Sequence, residues 1–195
     1  MKFIKKNLFV IIALVSLLVI FVTSGTRDCG GWGKTAYQRT VQAFDGLNDN
    51  DLEKKMLISY SDSLDEDQKF LFNTAFGEKL LSYMDFKVER ATSESKEKLK
   101  TICKVTVTIT SVDLKNIPGM YELIADSMNK SESGILNDLL VKAVENCKDD
   151  KVKSNVEVNA YLNPEHSAWT IVIDSNVFDA LFPNYDDYAN WRYGE

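Results

Sequence analysis

An enzyme needs a base, a nucleophile or an electrophile held in place by partners, and this chain offers few residues for those tasks. Its one histidine, His166, sits in "NPEH" at 163–166, which reads as a polar turn. A lone imidazole with no oriented partner reads as a solvated turn residue. The three cysteines, Cys29, Cys103 and Cys147, have no CxxC spacing, and with a single histidine they form no zinc set. Neither a phosphate-cradling glycine loop nor a GxSxG elbow is present. Carboxylates are plentiful, and two of them inside an apolar cavity would do acid–base work. Asp85, Glu89, Asp113 and Asp174, however, fall on strands or at strand ends, where capping and solvated edges account for them. No catalytic residue, metal ligand or cofactor is assigned.

Two other groups carry candidate roles. Cys103 and Cys147 both fall on apolar faces, either as buried free thiols or as a disulfide joining a strand to a helix in an oxidising exterior. The tail "NYDDYANWRYGE" sets Tyr185, Tyr188, Trp191 and Tyr193 among acids. Aromatics of this kind either form an interaction surface or fold back and shield the sheet.

The address comes from the start of the chain. Lys2, Lys5 and Lys6 precede the almost unbroken apolar run from Leu8 to Val22, the charge-then-apolar order read by export machinery. Val22 and Ser24 fit the recognition positions of signal cleavage, whereas Thr26, Arg27 and Asp28 before Cys29 depart from a lipoprotein box. The expected layout is a signal or membrane anchor at 1–25, a linker at 26–34, a domain at 35–183 and a tail at 184–195. The domain then lies outside the cytoplasm, membrane-anchored if the segment is uncleaved and secreted otherwise. The rest is long enough for one domain with a sizeable core. With 29 acidic against 23 basic residues and no basic stripe, nucleic acid is excluded as a partner.

Hydrophobic spacing supplies the elements. Tyr37, Val41, Phe44 and Leu47 mark a helix starting at Thr35. Asn48 or Asn50 caps a second carrying Leu52, Met56 and Leu57, with Glu53 completing a capping box. A third covers Asp65–Tyr83, with Phe70, Leu71, Thr74 and Leu81 near one side. The period then changes to two. Phe86, Val88 and Arg90 open a strand, and a polar turn follows. Leu99, Cys103, Val105, Val107 and Ile109 form the inner face of a long antiparallel strand, opposite Thr106, Thr108 and Thr110. Ile117, Tyr121, Ile124 and Met128 line a fourth helix, and Leu136, Leu140, Ala143, Val144 and Cys147 a fifth capped by Ser131 or Ser133. A second hairpin follows, with Val152, Val156, Val158, Ala160 and Leu162 on one strand and Trp169, Ile171 and Ile173 on the other. Asp174 or Ser175 caps a closing helix bearing Phe178, Leu181 and Phe182, and Pro183 stops it. Helices segregated from an antiparallel sheet mean an α+β fold.

"YQRTVQAFDGLNDNDLEKKM", "MDFKVERAT" with "TICKVTVTITSVDL", and "SAWTIVIDSNVFDALF" resemble, in order, the first helix pair, the long hairpin and the terminal strand and helix of exported bacterial cystatin-like domains. These belong to the nuclear-transport-factor-like superfamily. The resemblance implies a curved antiparallel sheet packed on N-terminal helices, here with an additional helix pair between the two hairpins. Such folds sometimes enclose a conical cavity, and fold alone does not choose among their functions. Two functions compete. One is a noncatalytic binding or protein-interaction domain at the cell surface, whose partner is an unknown surface protein or small ligand. The other is a small-molecule enzyme or carrier using the cavity. Missing catalytic constellations favour the first.

Overall fold

The computed structural model describes residues 31–97, 100–127, 136–163 and 168–194. The expected leader, Cys29, Leu99, Met128, the Ser131 or Ser133 cap and His166 lie outside the described residues. The fold is α+β, a mixed five-stranded sheet in the order β1-β5-β4-β3-β2 with helices on one face. Its strands are β1 (Ile58–Tyr60), β2 (Asp85–Glu97), β3 (Lys100–Val112), β4 (Lys151–Asn163) and β5 (Ala168–Ile173). All neighbours pair antiparallel except β1, which runs parallel to β5. The expectation of a wholly antiparallel sheet is therefore corrected by β1. That three-residue strand is too short for a legible period and takes its partner from the far end of the chain.

The sheet's centre is the β3–β4 ladder, unbroken from Thr101↔Leu162 to Val112↔Lys151. Alternation puts Cys103, Val105, Val107 and Ile109 on the inner face with Val158, Ala160 and Leu162, all buried. On β5, Trp169, Ile171 and Ile173 join them. The strand β2 departs from simple alternation, because register shifts fall between Val88 and Arg90 and between Ser93 and Ser95. The first shift places Arg90 opposite Thr106 on the outer face and gives Ala91 the inner position opposite Val105.

Helix α1 (Gly31–Asn48) lies across the inner face. Ala36, Thr40, Ala43, Phe44 and Leu47 form its buried stripe at spacings of four and three. Thr40 satisfies its hydroxyl by donating to the Ala36 carbonyl at 2.9 Å. Tyr37 sits at the edge of the stripe and donates its hydroxyl to the Val88 carbonyl at 3.1 Å. The short α2 (Leu52–Lys55) is capped by Asp51, not by Asn48 or Asn50, because its carboxylate reaches the Glu53 and Lys54 amides. The expected apolar face of this helix is absent: Leu52 is 76% and Met56 85% exposed. Four residues make barely one turn, and Leu57 and Ile58 beyond it reach the core instead.

The helix expected over Asp65–Tyr83 is two helices, α3 (Glu66–Leu71) and α4 (Ala75–Ser82). Asp65 and Gln68 close a capping box at the start of α3. Thr74 then interrupts the run, its hydroxyl donating to the Leu71 carbonyl at 2.9 Å and accepting from the Gly77 amide at 3.0 Å. Gly77 makes the break possible, since a Cβ there would stand 1.9 Å from the Leu71 oxygen. Phe70 consequently turns outward while Leu71 is buried.

Helices α5 (Ile117–Ser127) and α6 (Leu136–Cys147) form the crossover between β3 and β4 and pack on one another. The Cys103–Cys147 bridge does not form. Cys147 keeps a free, buried thiol 3.8 Å from the Asn116 carbonyl. The reason is distance along β3: Cys147 lies by the Val112 end, and Cys103 to Val112 is roughly 30 Å of strand at about 3.3 Å per residue. A disulfide tolerates a Cα separation of only about 7 Å.

After β5, Asp174 caps α7 (Ser175–Leu181) by accepting from the Val177 amide at 3.1 Å. Asn184, in the left-handed region at φ 61°, turns the chain into α8 (Tyr185–Tyr193). Its side-chain amide donates to Asp113 Oδ1 at 2.7 Å, and the Leu114 amide to the Pro183 carbonyl at 3.1 Å, so the end of β3 holds the start of α8.

Replacing Trp169 by Ala should cost about 3–5 kcal/mol in urea unfolding, because it empties a site on the inner face of β5. Ending the chain after Pro183 should destabilise at least as much, since Phe76 and Phe178 lose the rings of α8. Unchanged midpoints in either variant would contradict this packing.

Candidate functional site

The inner, helix-covered face of the sheet, where the resemblance implies room for a ligand, is filled with side chains. Ala36, Ala43 and Ala160 are small enough to bring α1 close to the strands, and Phe44 and Leu47 occupy the space between. Val105, Val107, Ile109, Val158 and Ile171 meet them at no solvent exposure.

The four singled-out carboxylates do not converge. Asp85 pairs with Lys151 at 2.7 Å, tying β2 to β4 across β3. Glu89 pairs with Lys87 at 2.9 Å. Asp113 accepts from the Lys115 amide and from Asn184, and Asp174 is the cap of α7. Each is engaged in holding a strand or a turn. Among the described residues no group of three or more His, Cys, Asp or Glu side chains is placed to hold a metal.

The opposite face of the sheet carries the polar half of each alternation. Thr108 is its centre, donating to Asn155 at 2.7 Å within reach of Glu89 at 3.5 Å. Lys104 and Glu157 pair diagonally across β3 and β4 at 3.5 Å. Thr106, Tyr161 and Thr170 continue this surface, all half-buried by their neighbours in the pleat. The result is a field of hydroxyls, amides and paired charges across the sheet.

The tail divides between the two readings. Tyr185 and Tyr188 are buried, which corrects their candidacy as interaction residues. Tyr188 stacks on Phe76 with ring centres 4.9 Å apart, and Tyr185 meets Phe178 edge-on at 5.0 Å. Trp191 is half-buried, its indole N–H donating to Glu122 at 3.3 Å and its ring edge-on to Tyr121. Tyr193 alone of the four is mostly open to solvent, at 62%. Periodicity assigned these aromatics no partner, because their partners come from α4, α5 and α7.

One concavity was not anticipated. A solvent-open groove of about 500 Å³ lies between β4 and α7, lined by Ser154, Asn155, Val156, Glu157, Asn176, Asp179 and Ala180. Burial, followed by the charges of Asp186 and Asp174, raises the Asp179 carboxyl above its ordinary range. No local signal marks this groove, since it exists only where α7 leaves the sheet.

Burial pushes the Tyr185 hydroxyl up to about 12, with Tyr193, Asp65, Asp67 and Asp186 adding to the rise; burial raises that of Tyr188 as well. Unfolded tyrosine ionises near 10, so the unfolded chain releases these protons first as pH climbs. Their contribution is complete below pH about 10 and is lost as pH rises through the folded value. Stability measured from pH 9 to 12 should fall steeply, and Tyr185→Phe with Tyr188→Phe should flatten the fall; an identical slope would refute their burial.

This arrangement comes without a relative to compare it with: no family model, curated protein or solved structure matches the chain.

Proposed function

We propose that this chain is a noncatalytic binding domain held outside the cytoplasm, anchored by its N-terminal apolar segment where that segment is kept. Its fold we assign to the cystatin-like group of the nuclear-transport-factor-like superfamily, on the stretches quoted above, with α5 and α6 as the additional helix pair. The observation that carries the reading is the packed inner face. An enzyme or carrier of this architecture needs an open pocket that swallows most of a small molecule, and here α1 and the inner strand residues occupy that volume. What remains for recognition is surface. The uncovered sheet face offers hydroxyls and amides at pleat spacing, with Lys104–Glu157 and Lys87–Glu89 as fixed charges. Such a face suits a polypeptide partner whose polar groups register against it.

Protease added to cells with a permeable wall should digest the chain beyond Gly33; complete protection would place the domain on the wrong side. A photo-crosslinking residue at Thr170 should capture one surface protein, and adding Thr106→Arg should abolish the adduct. The same substitution should change stability by no more than about 1 kcal/mol, as expected for a half-buried position on the solvent side of a strand. An adduct that survives Thr106→Arg would remove the sheet face as the contact. Turnover of a metabolite that disappears when one carboxylate is replaced would defeat the noncatalytic reading.

A further inference from the structure

Among the described residues, and besides Ala168–Thr170 of β5, the sheet has three stretches of strand edge with no strand beside them, and two are guarded. At one margin β1 is three residues long. At the other, β2 is broken by two register shifts and carries Lys87, Glu89 and Arg90 about the first. Short edges, bulges and charges are the usual means by which proteins prevent an extra strand from adding. The third stretch lies inside the sheet. Strand β4 runs from Lys151 to Asn163, but β5 pairs only with Asn159–Asn163. Ile173 ends β5, and Asp174 turns the chain into α7 on the helical side. Among the described residues, 151–158 of β4 are therefore paired with β3 on one side and with no strand on the other.

This bare edge is regular. Its register with β3 is uninterrupted, it contains no proline, and of its two lysines Lys151 is neutralised by Asp85 while Lys153 stands exposed on the outer face. It also has a wall facing it, because α7 stands across the groove with Asn176, Asp179 and Ala180. A trough with a strand edge on one side and a helix on the other is the geometry in which an extended peptide adds to a sheet. Main-chain hydrogen bonds give affinity, and pockets for alternate side chains give selectivity.

We infer that the β4–α7 groove binds an extended segment of a partner polypeptide that presents lysine or arginine toward α7. The charged side chains lining the groove are Glu157 and Asp179, both acids. Glu157 already has Lys104, but the charged groups acting on Asp179 are Asp174 and Asp186, which are of its own sign. A cationic side chain from the incoming strand relieves that crowding. This inference rests on the reading of the chain as a binding domain and names the chemistry of its ligand.

The test uses the full chain in nanodiscs and a fluorescein-labelled octapeptide of alternating threonine and lysine, matched in length to the bare edge. Anisotropy should report binding, with at least a tenfold loss on Asp179→Lys and little affinity for a threonine–glutamate counterpart. Methylating alternate peptide amides along one edge should abolish binding, and hydrogen exchange should show the amides of Ser154–Glu157 protected by the unmodified peptide. Binding that persists after amide methylation, or that ignores Asp179→Lys, would overturn the inference. So would concentration-dependent self-association that protects the same amides without peptide, because the edge would then belong to a second copy. If the peptide fails while the Thr170 adduct survives, the groove assignment falls and the binding-domain reading stands.

Discussion

The long antiparallel ladder between β3 and β4 is the constraint on which the rest of the molecule depends. Twelve consecutive pairs join strands separated in sequence by the whole of α5 and α6. Each pair commits both of its side chains to one face, and a slip of one residue would exchange the faces. The inner positions of β3 from Cys103 to Ile109 are Cys, Val, Val and Ile, all fully buried. The outer positions are chiefly Thr and Lys, which a pleated, half-exposed surface accommodates. Burial on one side and solvation on the other therefore fix the register, and the register places every other element.

Helix α1 can lie flat on this ladder because its buried stripe alternates small and large residues. Alanines bring the backbone near, while Phe44 fills the gap and touches Phe86 with ring centres 5.4 Å apart. The same close packing fills the inner side of the sheet. An open centre would need smaller groups at Phe44 and Leu47, or a helix lifted away from the strands. Here stability and the loss of a central pocket are consequences of one arrangement.

A second aromatic layer continues the core toward the C-terminus. Phe72 meets Phe178 and Phe182 edge-on, Tyr60 lies against Phe72, and Tyr185 and Tyr188 extend the series to α8. Edge-to-face rings of this kind add to the energy of simple burial. The series ties β1, α3, α4, α7 and α8 together, although they are widely separated in sequence. It also explains why β1 forms at all. Tyr60 brings its ring to Phe72, the Ser61 amide donates to the Ile173 carbonyl at 2.9 Å, and the Leu57 carbonyl accepts from the Ile171 amide at 2.7 Å, so a three-residue strand is held from both ends.

What the sequence by itself determined is the set of local periods. Alternation in "KVTVTIT" made β3 legible, Trp169, Ile171 and Ile173 made the inner face of β5 legible, and Asp174 marked a helix start by cap chemistry. These signals are local because a strand's faces and a helix's first amides are satisfied within a few residues. The tertiary structure decided whatever depends on residues far apart in the chain. The Glu89 shift turned Arg90 outward, Gly77 and Thr74 split one apolar period into two helices, and α4 and α7 drew Tyr185 and Tyr188 inward. The separation of Cys103 from Cys147 along β3, and the groove that opens where β5 ends before β4, belong to the same class. Each turns on which surfaces meet across the fold. A linear pattern carries the polarity of a surface but not the identity of the one that covers it.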